Sequence, residues 1–149
     1  MVDSFIRQFT DEDLGDIIEI KRRYFLVNDT LKRANVQDPA YIGIYLGERK
    51  GSFRPSPALL ELIAEKSGKK LFVDKKGEWL FLCARDLFGR SILRSNVKQG
   101  LVLVQNEQDQ NLGYGKIINS LEKKDQVVVK NLLDRGAYLR DEGQHRNKQ

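Results

Sequence analysis

The chain has 149 residues, of which 40% are hydrophobic and 32% charged, and its formal net charge is +5. This length allows one domain or two small ones that share an interface, and the apolar fraction suffices for a core. The single cysteine, Cys83, excludes an intrachain disulfide framework and a cysteine-rich zinc site, and favours a reducing, intracellular environment. No segment approaches the roughly 20 apolar residues of a membrane span, and residues 1–10 lack the apolar stretch of a signal peptide.

The charge is unevenly distributed along the chain. Residues 1–20 hold six acidic residues and one basic residue, whereas the other 129 residues hold 25 basic and 15 acidic ones, a net +10. A basic body behind an acidic leading segment suits a polyanion such as RNA or DNA. A soluble surface rich in Lys and Glu, as many thermophile proteins have, is the alternative explanation.

The beginning of the chain is predicted to form a helix followed by a strand. Thr10 is suited to cap a helix over residues 11–24, because acidic residues crowd the first turn and the basic residues 21–23 lie at its C-terminal end. Residues 41–47 favour a buried strand whose glycines permit a bulge or a close backbone approach.

A basic loop and a second helix are predicted to follow that strand. Residues 49–54 form the loop, with Phe53 either in the core or exposed as a stacking surface. Ser56 is placed to cap a helix that has Pro57 at its first position, and Gly68 is expected to end it in a left-handed conformation. We expect this helix to pack on the preceding strand, so that residues 1–67 make a small α/β unit.

The pattern changes to short β-type runs over residues 68–140. Short apolar runs separated by polar and glycine-containing turns are typical of a partly closed β-barrel. The predicted strands are residues 71–73, 79–83, 91–93, 100–104, 112–118 and 127–129.

Several local features of this segment are also predicted. Residues 74–78 are expected to be a hairpin loop in which Gly77 supplies a positive φ. Trp79, Phe81 and Cys83 are placed in the apolar interior, together with Phe88. The last strand is expected to lead into one helical turn closed by Gly136. Residues 141–149 are polar apart from one glycine and are predicted to be disordered.

The sequence contains no recognisable catalytic constellation. His145 is the sole histidine and lies in the polar tail, and Cys83 lies in an apolar run, where cysteine is an inert small hydrophobe. Asp86 beside Arg85 is explained more simply by a solvated ion pair in a turn than by an acid catalyst. We therefore expect a binding module, with no catalytic residue, metal or cofactor.

Cations recur at short intervals after the apolar run that contains Cys83. Arg85, Arg90, Arg94 and Lys98 follow one another every four or five residues, a spacing that predicts a shared rim of the barrel. The candidate RNA-binding residues are Arg49, Arg54, Arg85, Arg90, Arg94, Lys98, Lys116, Lys123, Lys124, Lys130 and Arg135.

This density of cations is what phosphate groups require, and arginine also suits bidentate contacts with phosphate or guanine. Lys75, Lys76 and Lys148 are expected to be ordinary solvated side chains. Because the sequence offers few aromatic residues for base stacking, it favours recognition of RNA by shape and backbone over a sequence code.

The run FLCARDLFGRSI, followed by GLVLV and NLGYGK, resembles a PUA domain, the small β-barrel at the end of many proteins that handle tRNA and rRNA. YIGIYLGERKGSFRPSPALLELI and VVVKNLLDRGAYLRDE resemble the segments that join and close the two domains of NIP-family large-subunit ribosome-biogenesis factors. The resemblance covers residues 41–142. It implies an α+β protein in which a small N-terminal α/β unit precedes a PUA-like mixed β-barrel.

The resemblance to the NIP family implies a ribosome-biogenesis factor that binds rRNA or pre-rRNA, with other ribosome-assembly proteins as partners. In that family basic residues of the last segment contact RNA, a role that falls here on Lys130. Gln126 and Val127 stand where arginines are expected, and Lys123 and Lys124 are placed to substitute from upstream. The expected location is the cytoplasm, or the nucleolus in a eukaryote.

Two other interpretations remain open at this stage. The first is a PUA-like accessory module of an enzyme that modifies rRNA or tRNA, since the C-terminal domains of rRNA cytosine methyltransferases carry a similar strand, basic loop and helix. The second is a small enzyme of the ASCH type, whose barrel is related to that of PUA domains. The sequence shows no cluster of Lys, Thr and Glu residues that would indicate such an enzyme.

Overall fold

The computed structural model describes residues 1–27, 43–138 and 140. The chain divides into two compact units, residues 1–66 and a second unit that begins at Ser67, and each is described here by itself. The predicted disordered tail, residues 141–149, lies outside the described residues, as does the start of the predicted strand at residues 41–47.

The first unit begins with a short helix and a β-hairpin. Helix α1 spans Val2–Arg7, strand β1 spans Asp16–Ile20 and strand β2 spans Arg23–Val27. The helix predicted over residues 11–24 is therefore wrong. Thr10 does accept a hydrogen bond from the backbone N–H of Glu12, at 3.2 Å, but it caps no helix.

The hairpin forms because its residues favour extended structure and its turn has the required twist. Isoleucines dominate β1, and β-branched side chains favour strands over helices. Ile20 pairs with Arg23 across a two-residue turn, in which Lys21 and Arg22 have φ of 51° and 69°. Two central residues with positive φ give the type I′ geometry that matches strand twist.

The rest of the first unit is a second hairpin and a helix. Strands β3 (Ile44–Lys50) and β4 (Ser52–Pro55) complete the antiparallel sheet β1-β2-β3-β4, and α2 (Pro57–Lys66) packs on β3 as predicted. Ser56 Oγ accepts the Leu59 N–H at 3.1 Å, which confirms the predicted cap. Gly68 lies beyond the helix and does not have a positive φ, so the expected left-handed stop is wrong.

The interior of the first unit is aromatic. The Phe53 ring centroid lies 5.4 Å from that of Phe5 and 5.6 Å from that of Tyr24, so Phe53 is a packing residue and not an exposed stacking surface. Helix α1 contributes Val2, Phe5 and Ile6, all buried. These three residues have helical spacing in the sequence, but no helix was predicted there.

The second unit is a curled six-stranded sheet. Its strands are β5 (Lys70–Val73), β6 (Leu87–Phe88), β7 (Ile92–Ser95), β8 (Gly100–Gln105), β9 (Asn111–Ile117) and β10 (Val127–Asp134). The spatial order is β6-β10-β9-β8-β5-β7, with β5 and β8 parallel and every other neighbouring pair antiparallel. The outermost strands β6 and β7 are consecutive in sequence, joined by a 3-10 helix at Gly89–Ser91, which curls the sheet into a half-barrel.

A helix replaces one predicted strand of this unit. Helix α3 spans Lys75–Leu82, where the sequence predicted a hairpin loop and a strand over residues 79–83. Asp74 caps it, because its carboxylate accepts the Gly77 N–H at 2.8 Å, and Gly77 lies inside the helix without the predicted positive φ. Phe81 is fully buried, whereas Trp79 is 65% exposed and Cys83 is exposed, so the interior positions predicted for the last two are wrong.

The apolar side chains of the curled sheet form one core together with Phe81 of α3. It contains Leu71, Val73, Phe81, Leu87, Val102, Val104, Leu112, Ile117, Val128 and Val129. The predicted helical turn before Gly136 is instead the second half of β10, which continues to Asp134. The fold is thus the expected α+β arrangement with a mixed half-barrel, although α1 and α3 lie where no helix was predicted.

Candidate nucleic-acid interface

Two lysines face each other on adjacent strands of the half-barrel. Lys116 of β9 and Lys130 of β10 are direct partners in the antiparallel register, and both are exposed. Side chains in this relation have Cβ atoms about 4.5–5.5 Å apart and project from the same face of the sheet. Within the described part of the chain, neither ammonium group takes part in an ion pair. We call these two residues the lysine pair.

The lysine pair is unfavourable for the fold alone. Like charges directly opposite each other destabilise a sheet, and on the β8 side the next residue in the row is Leu101, which supplies no carboxylate. On the β6 side the Asp86 carboxylate accepts the Asn131 N–H at 2.8 Å. An anion between the two ammonium groups converts this repulsion into attraction through charge-assisted hydrogen bonds. The pair is therefore a suitable contact point for a phosphate group.

A second group of cations surrounds the loop between β9 and β10. The backbone N–H of Arg90 donates to the Lys124 carbonyl at 3.2 Å, so the 3-10 helix runs along this loop. At Gly89 a Cβ atom would lie only 2.5 Å from the Lys123 carbonyl oxygen. Because glycine lacks that atom, the backbones approach closely and bring Arg90 beside the two lysines.

The Arg90 side chain is held loosely enough to exchange partners. Its guanidinium lies 5.0 Å from the ring centroid of Phe88 and 3.7 Å from the Asp125 carboxylate. Both members of the ion pair are largely exposed, and such pairs contribute little net stability. A phosphate group can therefore replace the carboxylate at small energetic cost.

Arg94 and Lys98 approach the same loop from its other side. Both line a cavity of about 520 Å³ together with Leu121 and Glu122 of the loop. The Arg94 guanidinium lies 4.0 Å from the centroid of the Phe72 ring, a cation–π contact that fixes its position. The cations around the loop, which we call the loop cluster, are Arg90, Arg94, Lys98, Lys123 and Lys124.

Arg85, predicted to share a rim with Arg90, Arg94 and Lys98, lies apart from them in the loop after α3. The Asn131 side chain donates to the carbonyls of Phe81 at 2.9 Å and Arg85 at 3.3 Å, while its backbone N–H donates to Asp86 at 2.8 Å. These bonds hold the Arg85 backbone against β10, next to the lysine pair. Arg85 itself is exposed.

A cavity of about 610 Å³ opens beside α3 and contains Arg135, the last predicted cation of this unit. We call it the α3 pocket. Its walls come from α3, from the β8–β9 connection and from the segment after β10. The lining residues are Glu78, Leu82, Cys83, Asn106, Gln110, Asn111, Leu112, Arg135, Gly136 and Arg140.

The two predicted cations of the first unit are in different surroundings. Arg49 lies in β3 and contacts Glu19 at 3.5 Å, and Arg54 lies in β4, opposite Glu48 in the register. The predicted basic loop is a tight hairpin, in which Gly51 occupies the turn with φ of 69°. Both arginines belong to the first unit, whereas the lysine pair and the loop cluster belong to the second.

Comparison with known proteins identifies the second unit. Residues 69–143 match the family described as UPF0113 PUA domain. The chain belongs to this family. A UPF0113 protein of Archaeoglobus fulgidus is 36% identical over 69% of this chain and 63% of its own length, and one of Aeropyrum pernix is 37% identical over 66% and 54%. The chain thus spans less than two thirds of these relatives, and neither name states an activity.

Solved structures agree on the fold. A conserved PUA domain protein from Thermoplasma acidophilum has a TM-score of 0.61 at 15% identity, covering 93% of this chain and 89% of that one. A hypothetical protein from Pyrococcus horikoshii has a TM-score of 0.54 at 19% identity, covering 89% of both chains. PUA domains generally bind RNA, and the lysine pair and the loop cluster both lie inside the matched PUA region.

Metal-ligand clusters and membrane-spanning helices are both absent from the part of the chain that the structure describes. Among residues 1–27, 43–138 and 140, no three His, Cys, Asp or Glu side chains are grouped so as to hold a metal ion. In the same ranges no helix has the length and apolarity needed to cross a membrane.

Two residues near the α3 pocket were missed as functional candidates. Trp79 was assigned to the core because a short apolar run does not distinguish a strand from a helix. Arg140 lies after the last strand in the segment GAYLR, which carries a family resemblance but was not predicted to bind RNA. The sequence does not reveal that Trp79 is exposed, because the four residues that follow it, Leu80 to Cys83, are all apolar and suggest a buried segment.

Proposed function

We propose that this protein binds RNA through the lysine pair and the loop cluster and acts as an assembly factor of the large ribosomal subunit. The observation that carries the proposal is the lysine pair, because Lys116 and Lys130 repel each other in the free protein and an anion relieves that repulsion. Membership of a PUA family supports RNA as the polyanion.

One member of the lysine pair, Lys130, and two members of the loop cluster, Lys123 and Lys124, lie on β10 and the loop that precedes it. Lys124 lies in the turn before β10, and roughly 10 Å of strand separates Val127, where β10 begins, from Lys130. A single phosphate cannot span this distance, so the surface suits several successive phosphates of one RNA segment. Contacts with phosphates position RNA without reading its sequence, and we expect recognition by backbone and shape.

The role in ribosome assembly rests on the NIP-type resemblance over residues 41–142 and on the position of Lys130 in it. We propose rRNA or pre-rRNA as the target, other ribosome-assembly proteins as partners and the cytoplasm as the location. We also propose that the protein has no catalytic activity, because the proposed function requires RNA binding and no chemical reaction.

A fluorescence anisotropy titration tests RNA binding. We expect affinity for a structured or U-rich RNA to fall steeply as salt increases, and the Lys116→Ala/Lys130→Ala variant to bind more weakly. The slope of log K against log salt should decrease by roughly 0.7–0.9 for each phosphate that the variant no longer neutralises. The matched control is Lys50→Ala/Lys66→Ala, which removes two exposed lysines of the first unit. Equal affinities for the two double variants would refute the assignment of the site.

Crosslinking and sequencing of the RNA bound in the native cell tests the biological role. Enrichment of large-subunit rRNA or its precursors supports the assembly role. Enrichment of tRNA alone would instead favour the accessory module of an RNA-modifying enzyme.

A further inference from the structure

We infer that the α3 pocket receives one unpaired nucleobase of the RNA whose phosphates lie on the lysine pair. This inference rests on the proposed function and extends it from the backbone of the RNA to one of its bases. The cavity volume of about 610 Å³ is in the range of small-molecule sites, which combine an apolar lining with a few polar groups.

Arg140 presents a pre-organised flat surface at this pocket. Its Nη1 donates to the Leu82 carbonyl at 2.9 Å, and its Nη2 donates to both carboxylate oxygens of Asp134 at 3.2 and 3.3 Å. The Asp134 side chain is only 4% exposed, so this pairing anchors the guanidinium, whereas the Arg140 side chain stays 45% exposed. A fixed guanidinium plane is a common stacking surface for unpaired bases in RNA-binding proteins.

The exposed side of α3 adds an aromatic group to the same region. Trp79 does not line the pocket, but it precedes Leu82 by three residues and Cys83 by four, so it lies on the same helical face as these two lining residues. Its side chain is 65% exposed, although burying an indole ring is strongly favourable. Aromatic side chains that stack on bases contribute to single-stranded RNA binding without sequence preference.

The charges around Trp79 favour a polyanion such as RNA over an apolar protein segment. Lys75 and Lys76 lie one turn before Trp79, and both are exposed. The Asp74 carboxylate already caps this helix, so the two lysines present positive charge to the solvent beside Trp79. Two lysines, Trp79 and the guanidinium of Arg140 together provide phosphate contacts and stacking surfaces.

Polar side chains at the pocket can contact the edge of a base. Glu78 Oε1 accepts a hydrogen bond from the Asn106 amide at 3.2 Å, and the same amide also donates to Gln110 Oε1 at 2.8 Å. A carboxylate and amide side chains supply the acceptors and donors that base edges require. The route from the phosphate site is short, because β10 continues from Lys130 towards Arg135, roughly 17 Å along the strand.

The intrinsic fluorescence of Trp79 tests this inference, since it is the sole tryptophan. We expect quenching when a single-stranded RNA binds and much less with a duplex of equal phosphate number. Trp79→Ala should weaken single-strand binding about five- to hundredfold. Arg140→Lys should also weaken single-strand binding, and both variants should bind duplex RNA nearly as the wild type does. Ile44→Ala, at an exposed apolar residue of the first unit, is the matched control and should bind like the wild type.

The outcomes separate the two proposals and the two sources of a nucleobase. Unchanged fluorescence, with equal RNA affinity for wild type and Trp79→Ala, would overturn the base pocket while leaving phosphate binding intact. Absence of all RNA binding would overturn the proposed function itself. Quenching by single nucleoside monophosphates at concentrations comparable to RNA would assign the pocket to a free nucleotide. Loss of binding to a protein partner in Trp79→Ala, with RNA affinity retained, would overturn the inference in favour of a protein interface.

Slower reaction of Cys83 with a thiol reagent gives a second readout. Cys83 is exposed and lines the pocket. We expect single-stranded RNA to protect it, and the Lys116→Ala/Lys130→Ala variant to require more RNA for the same protection. Protection by duplex RNA to the same extent would contradict entry of a base.

Discussion

Replacing Lys116 by Glu should stabilise the protein while weakening its binding to RNA. In the free protein the substitution changes a repulsive cross-strand pair with Lys130 into an attractive one. Each such pair is worth about 0.2–1 kcal/mol, unfavourable for like charges and favourable for opposite ones, so the combined change is about 0.5–2 kcal/mol. For a chain of this length that corresponds to a rise in Tm of about 1–8 °C.

Thermal unfolding and RNA binding are to be measured on the same samples. Unfolding is followed by circular dichroism at low ionic strength and again in 1 M salt, where the Debye length is about 3 Å and the gain from an exposed pair largely disappears. Anisotropy should show that RNA affinity decreases, because a carboxylate now repels the phosphate that two lysines attracted.

The matched control is Lys123→Glu, which makes the same change of charge in the loop cluster. Lys123 is exposed and does not lie in a strand opposite another cation. It should lose RNA affinity without a gain in Tm. If Lys116→Glu lowers Tm at low salt, or raises it equally in 1 M salt, electrostatic repulsion within the lysine pair is not the reason for the effect.

Three further results are expected. Gly89→Ala should lower the free energy of unfolding by about 1–3 kcal/mol in a urea titration, because its Cβ would lie 2.5 Å from the Lys123 carbonyl, whereas Gly68→Ala meets no atom within 4 Å and should be neutral. The Gln105 hydrogen bond and Lys70 lower the pKa of Asp109, so the stability from its charged form is present above the ordinary pKa and lost as pH falls through the lowered one. Acid titration of Asp109→Asn should therefore show a weaker pH dependence. Purified protein should cleave neither RNA nor small amides, and reproducible cleavage would favour an ASCH-type enzyme.

Local signals in the sequence predicted those elements that local interactions determine. The Ser56-Pro57 start of α2 depends on one side chain that reaches a nearby backbone N–H, and it was found correctly. Asp74 caps α3 in the same way through Gly77, but that glycine also suits a hairpin turn. The apolar run after it was too short to distinguish a strand from a helix, so α3 was missed.

The candidate site could be predicted only in part, because it depends on register. Lys116 and Lys130 were both identified as cations, yet their pairing is set by the β9–β10 loop, whose length and conformation fix the register of Ile117 with Val129. That register is not visible in the spacing of residues along the chain. The proximity of Arg90 to Lys123 likewise depends on a close backbone approach at Gly89 between distant segments.

The link between the two outermost strands of the half-barrel also bears on how the protein behaves in a crowded cell. Unpaired strand edges are templates on which other chains add and aggregate. Here β6 and β7 are joined through only three residues, Gly89–Ser91, so each edge of the sheet turns directly into the other. The two edge strands are also short, two residues in β6 and four in β7, which limits the length over which another strand could add to this sheet.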